Sequence, residues 1–127
     1  MHRVIAPIDI GDPAANYAHA RLTSGAGRWL HTSGVVPIAP DGSVPGTLAE
    51  QAELVWTNIA AMLRDAEMDA ADVVSVTTYV VAGWDLGPVM AARDRALGES
   101  LAASTLLIVP QLARPDWMLE SVVIAAN

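Results

Sequence analysis

Apolar residues recur at spacings of three and four between residues 48 and 66, whereas elsewhere they form short runs. The periodic segment predicts an amphipathic helix, because those spacings place apolar side chains on one helical face. Its apolar stripe is Leu48, Ala52, Val55, Ile59, Met62 and Ala66. Thr47, followed three residues later by Glu50, matches a capping box, so we expect the helix to begin at this threonine.

The shorter apolar runs predict five strands and leave room for a second helix. Residues 18–23 and 28–36 are β-leaning, and the Gly-rich spacer 24–27 between them predicts a hairpin turn. The other predicted strands cover residues 73–81, 105–109 and 118–126. Asp85 is a candidate cap for a helix with Pro88 in its first turn, running to about residue 101.

The resulting order is ββαβαββ, which predicts an α+β sandwich in a single domain over residues 1–127. Two helices would cover one face of one mixed sheet. The residues expected on the other face are apolar: Val74, Val76, Val80, Val122 and Ile124. An uncovered apolar face requires a partner, and 53% hydrophobic residues with a mean hydropathy of +0.36 favour self-association.

Composition excludes several kinds of chemistry. The chain has no cysteine and no lysine, which removes thiolate metal sites, a cysteine nucleophile and a Schiff-base lysine. A net charge of −7 leaves no basic footprint for nucleic acid. No apolar run is long enough to span a bilayer and no signal-peptide core is visible, so we expect no membrane partner and a cytoplasmic location.

Glu120 is the main candidate for chemistry. Strand alternation puts it on the same face as Met118, Val122 and Ile124. A carboxylate in an apolar row is hydrogen-bonded, paired or functional, because burying it alone is costly. Two interpretations stay open: a general acid/base that positions water, or a structural carboxylate satisfied by backbone N–H groups or an arginine.

The other candidate residues are weaker. Tyr17 offers a phenol that either hydrogen-bonds a ligand or packs its ring. Ser33 offers a hydroxyl next to Gly34, but no Gly-x-Ser-x-Gly elbow surrounds it. Trp117 precedes Glu120 and is a candidate wall for a bulky ligand. The histidines at 2, 19 and 31 have no metal-ligand spacing, although the last two would meet if their strands paired, so no metal and no cofactor are expected.

Three segments give the chain a family resemblance: Asn-Tyr-Ala-His-Ala at 16–20, His-Thr-Ser-Gly-Val-Val-Pro at 31–37, and the two terminal strands at 103–112 and 117–125. Together they resemble the RidA/YjgF family of enamine and imine deaminases. The resemblance implies a chorismate mutase-like homotrimer with small-molecule clefts between subunits. By this resemblance, Glu120 corresponds to the family's active-site glutamate. Tyr17 and residues 32–34 would line the cleft, and backbone groups near Val109 would orient the substrate.

One position departs from the family pattern. In catalytic members of the family an arginine binds the substrate carboxylate. The residue of this chain that corresponds to that arginine is Ser104. Arg114, in the following loop, is a candidate to replace it. Serine cannot reproduce the bidentate contact of a guanidinium. The two functional hypotheses are therefore an imine or enamine deaminase with an altered substrate, and a non-catalytic small-molecule-binding trimer. Ribonuclease activity, also linked to the family, is disfavoured by the acidic charge.

Overall fold

The computed structural model describes residues 1–127 as an α+β domain with two layers. The strands are β1 (His2–Ile5), β2 (Ala20–Thr23), β3 (Trp29–His31), β4 (Val73–Val81), β5 (Ala103–Val109) and β6 (Leu119–Ala126). The helices are α1 (Leu48–Asp65) and α2 (Gly87–Leu97), and a short 3-10 turn covers Ala70–Asp72. The predicted α+β class with two helices is confirmed.

The main sheet has four strands in the order β3-β6-β4-β5. Strands β4 and β5 run parallel and are joined through α2, while β6 is antiparallel to both of its neighbours. Strand β5 is therefore an edge strand, and its outer side is paired only through a bridge between Ala18 and Ala103. The sheet is mixed, as expected from the sequence.

The core lies between this sheet and the two helices. Helix α1 contributes Val55 and Ile59, and the sheet contributes Val76, Val80 and Val123, all almost fully buried. The predicted N-cap is present, because the Thr47 hydroxyl accepts a hydrogen bond from the backbone N–H of Glu50. The buried face differs from the predicted stripe: Met62 is 41% exposed, whereas Gln51, Trp56 and Leu63 are buried.

The predicted hairpin over residues 24–27 was wrong. Strand β2 pairs with β1 at the N-terminus, in a separate two-stranded ribbon, and β3 pairs with β6. His19 and His31 consequently do not lie on paired strands. A Gly-rich spacer allows the chain to reverse, but it does not decide which strand becomes the neighbour. The sequence analysis also missed β1, a four-residue strand that contains His2 and Arg3.

Arg21 attaches this ribbon to the rest of the domain. Its guanidinium donates hydrogen bonds to the backbone carbonyls of Val73 (2.9 Å), Ala71 (2.7 Å) and Leu101 (3.4 Å). Burial lowers the pKa of Arg21 below its usual value, although the nearby Asp72 carboxylate opposes that shift. The ribbon is thus held by a cation that donates to three backbone oxygens.

The uncovered side of the main sheet, which we call the open face, carries a different set of residues from the one expected. Val76 and Val80 point to the helices, so their assignment to this side was wrong, whereas Val122 and Ile124 do lie on it. Alternation from these positions gives its members as Trp29, His31, Ser75, Thr77, Tyr79, Val81, Ala103, Thr105, Leu107, Val109, Glu120, Val122 and Ile124. The face is largely apolar and includes one carboxylate.

Candidate functional site

A bulge after β3 brings Gly34 against Glu120. His31 pairs with Ile124 and Val35 bridges Ser121, so the β3 side has one residue more than β6 between these pairs. A Cβ atom at Gly34 would lie 2.9 Å from both the carboxyl carbon and Oε1 of Glu120. Only glycine therefore fits at this position while the carboxylate keeps its place, and the carboxylate is seated directly over the backbone of the bulge.

The Glu120 carboxylate lies in a row of side chains across the open face. Glu120 pairs with Tyr79 on β4, and Tyr79 pairs with Leu107 on β5. Directly opposed residues have Cβ atoms about 5 Å apart, so the side chains of Tyr79 and Glu120 leave the sheet next to each other on the same face. Tyr79 was not among the sequence-predicted site residues. The strand was identified correctly, but only its register with β6 reveals which of its side chains faces Glu120.

Tyr17 lies at the opposite end of β5 from this row. Its neighbour Ala18 bridges Ala103, four residues before Leu107, and the bridge is on the outer edge of β5. Ala18 is therefore four residues along the strand direction and three strand spacings across the sheet from Glu120. These two components give a distance of more than about 15 Å. The Tyr17 hydroxyl accepts a hydrogen bond from the backbone of Ala14. Within one chain, Tyr17 and Glu120 therefore do not share a site.

Within one chain, Ser104 does not share a face of the sheet with Glu120. Ser104 pairs with Val76, whose side chain faces the helices, and its hydroxyl accepts a 3.4 Å hydrogen bond from the buried guanidinium of Arg93 on α2. It consequently lies on the side of the sheet opposite Glu120. The residues of β5 that share the open face begin with Ala103 and Thr105. Neither is charged, so no arginine of β5 faces the Glu120 side.

Arg114 and Trp117 lie together in the loop before β6. The guanidinium carbon of Arg114 is 5.1 Å from the centre of the Trp117 ring, which is a cation–π contact. The indole Nε1 of Trp117 is buried and has no hydrogen-bond partner. Arg114 is therefore engaged with an aromatic ring of its own loop.

Gln51 positions that loop, and it is the second residue that the sequence analysis missed. Its side-chain amide donates to the carbonyls of Pro45 (2.9 Å) and Asp116 (2.8 Å) and accepts from the N–H of Met118 (2.8 Å). The residue is 1% exposed. The sequence does contain an indication of this role: Gln51 is a polar residue on the same helical face as the apolar stripe, three positions after Leu48. Through Asp116 and Met118 it fixes the entry into β6, two residues before Glu120.

Ser33 and Val109 occupy the margins of the candidate site. Ser33 is exposed and, with Gly34, lines a cavity of about 630 Å³ between the loop at 33–40 and α1. Val109 lies on the open face two residues beyond Leu107, and its carbonyl accepts a hydrogen bond from Ala82. The structure thus groups Ser33, Gly34 and Glu120 closely, with Val109 farther along the same face.

Two kinds of feature are not found in the structure. No group of three or more His, Cys, Asp or Glu side chains is arranged to hold a metal ion. Neither helix has the length and hydrophobicity needed to cross a membrane.

Comparison with known proteins gives the family. The sequence profile described as Endoribonuclease L-PSP matches residues 9–127. The Rid family protein YyfB from Yersinia pestis has a solved structure that superposes with a TM-score of 0.88, at 30% identity, over 99% of this chain and 98% of that chain. The chain belongs to the RidA/YjgF family. The YjgF protein of E. coli is 26% identical to this Rid chain, with a TM-score of 0.72 over 98% of both chains.

A curated relative gives a shorter match to this Rid protein. The RutC family protein of Haemophilus influenzae is 33% identical over 75 residues, which are 58% of this chain and 58% of that protein. The aligned part thus spans less than two thirds of that relative. The full-length structural matches, by contrast, cover both layers of the Rid fold.

Substitution of Gly34 tests the contact that defines the site of this Rid protein. In Gly34→Ala, the new methyl group would overlap the Glu120 carboxylate, which must then move. If Glu120 acts in catalysis, turnover is expected to fall about 10- to 100-fold, because displacement of a reacting group by about 1 Å has effects of that order. The measurement is kcat/KM in the hydrolysis assay proposed below, together with the midpoint of thermal unfolding.

Gly46→Ala is the matched control, since nothing lies within 4 Å of a Cβ at that position. It is expected to keep full turnover. Equal activity of both variants would show that the seat of the carboxylate over Gly34 has no role in the reaction.

Proposed function

We propose that this protein hydrolyses a small imine or enamine, with Glu120 as the group that positions water and moves protons. The observation that supports this most is the contact between Gly34 and the Glu120 carboxylate. A carboxylate seated over glycine on a face with no other acid has a defined position and an open approach from the side of the sheet that carries no helix. These are the properties required of a general base.

The proposed reaction uses no cofactor. An enamine first takes up a proton on carbon and releases one from nitrogen, which gives the imine. Water then adds to the C=N carbon, and collapse of the adduct breaks the C–N bond, so that one imine and one water give one carbonyl compound and one ammonia. Glu120 accepts a proton from the attacking water and returns it to the leaving nitrogen. Backbone groups near Ser33 and Val109 would orient the substrate.

We further propose that the site is completed by a second copy of the chain, in a homotrimer. The number of subunits is taken from the family resemblance, and two observations support association. Tyr17 lies more than about 15 Å from Glu120 in one chain, so the two can line one cleft only across an interface. The edge strand β5 exposes Leu107 by 41% and Ile108 by 52%, and Trp29 at the other edge is 53% exposed. Exposed apolar edge strands are typical of surfaces that pair with another chain.

A non-catalytic binding protein is the alternative, and the absence of an arginine from the open side of β5 favours it. Such a protein would use the same cleft for a small metabolite without turning it over. The description of the family as endoribonuclease suggests a third activity. A net charge of −7 disfavours it, because RNA binding needs cations that neutralise phosphates.

The experiment is a hydrolysis assay on imines generated in situ, with and without a carboxylate. The rate of imine loss is measured against spontaneous hydrolysis at several protein concentrations, and the mass in solution is measured by light scattering. We expect acceleration proportional to protein concentration and a mass three times the 13.3 kDa of one chain. If no imine is hydrolysed faster than it is spontaneously, but one is bound specifically, the enzymatic function is wrong and the protein is a small-molecule-binding protein.

A further inference from the structure

The cations of this chain are few, and most of them are already occupied. There is no lysine, so the seven arginines are the only permanently positive side chains. Four of them make contacts that hold the fold. Arg21 binds three backbone carbonyls, Arg28 binds Asn127 and the end of α1, Arg93 is buried against Asp94 and Ser104, and Arg95 pairs with Glu53.

None of the other three arginines is a strand residue of the open face. Arg64 is in the last turn of α1, where it lines a groove between the two helices. Arg114 stacks on Trp117 in the loop before β6. Arg3 is exposed on β1 in the N-terminal ribbon. Every copy in an assembly has the same seven arginines, so a neighbouring subunit offers nothing more than these three.

The strands of the open face give Glu120 no permanent cation. Among all side chains of the open face, Glu120 is the only acid, and no lysine or arginine accompanies it. His31 is the one other group that can become positive, and it lies four residues farther along the sheet, opposite Ile124. The carboxylate contacts Gly34, and the residues next to Glu120 on the same face include Tyr79 on β4 and Val122 on β6.

We propose that this site takes a planar nitrogen cation without a carboxylate, namely the protonated form of a small imine, in place of an imino acid. A second negative charge beside Glu120 would be repelled in this environment, whereas an iminium would be attracted. The protonated imine is also the form that water attacks more readily, and one iminium and one water then give one carbonyl compound and one ammonium ion. The phenol of Tyr79 supplies a hydrogen bond in place of a guanidinium. This substrate class rests on the proposed function.

Benzamidine and benzoate test this preference, because the two are planar and alike in size and shape but carry opposite charges at pH 7. Calorimetric titration of the wild-type protein is expected to give a Kd for benzamidine at least ten times lower than for benzoate. Glu120→Gln should remove this preference by weakening benzamidine at least tenfold. Glu99→Gln, which removes an exposed carboxylate elsewhere, should leave it intact. Equal or tighter binding of benzoate, or no binding of benzamidine, would overturn the proposal.

Kinetics separate failure of this proposal from failure of the proposed function. If 2-iminopropionate is hydrolysed as fast as an imine of the same size without a carboxylate, imine hydrolysis is confirmed and the proposed substrate class is wrong. If benzamidine is preferred but no imine is hydrolysed, the proposed ligand class is confirmed and the proposed enzymatic function is wrong. Thr105→Arg adds a cation to the open face and should shift both preferences towards carboxylates at least tenfold, while the uncharged Thr105→Met should not.

Discussion

Replacement of Glu120 by glutamine is expected to lower kcat/KM for imine hydrolysis about 10²- to 10⁴-fold. Glutamine keeps the size and planarity of the side chain over Gly34 but cannot accept a proton from water. Because Glu120 is only partly buried and its carboxylate makes no hydrogen bond within the chain, its loss should change thermal stability very little. The measurement is steady-state turnover together with thermal unfolding of the same preparation.

Glu99→Gln is the control for this experiment, since it removes one negative charge from the exposed loop after α2. It should retain wild-type turnover. If Glu120→Gln turned over as fast as this control, the general base would have to be another group. The half-buried Tyr79 on the neighbouring strand would then be the first residue to substitute.

Substitution of Gln51 by leucine is expected to have the largest effect on stability, a loss of about 3 kcal/mol in the free energy of unfolding. Leucine fills a similar volume, but it leaves the carbonyls of Pro45 and Asp116 and the N–H of Met118 without their partner. Buried polar groups without partners account for most of such a loss. Urea denaturation followed by tryptophan fluorescence measures it.

Gln111→Leu gives the matched control, because the same change is made at an exposed position. It should alter the unfolding free energy by no more than about 0.5 kcal/mol. Turnover of Gln51→Leu, measured where the variant is folded, is also expected to fall, since the clamp fixes the chain two residues before Glu120. A stable variant with an intact loop would contradict the assignment of Gln51 as a clamp.

The elements with strong local signals could be predicted from the sequence. The strand Val73–Val81 has the predicted bounds, and α1 begins just after the predicted cap at Thr47. Pairing was harder, because it depends on residues far apart in the chain. The sequence around residues 24–27 favours a reversal, but the partner of β2 is the N-terminal strand, whose His2 and Arg3 give no apolar signal.

The site was predictable in its centre and not at its margins. Glu120 stands out within one strand, because a single carboxylate among apolar residues is visible without any knowledge of pairing. The side to which Ser104 points is not visible in this way. The run Leu106 to Val109 is apolar at every position, so alternation gives no indication of which residues face the helices. Only the register of β5 against β4 places Ser104 beside Arg93.

The contact between Gly34 and Glu120 also predicts how these two positions vary among relatives. Alanine at 34 is excluded only as long as a long carboxylate lies above it. In relatives that have lost the glutamate to a smaller side chain, the glycine would be free to drift, whereas in relatives that keep the acid the two positions should change together or stay fixed. Covariation of these two columns across the family would therefore distinguish lineages under selection for the carboxylate from lineages that retain only the scaffold.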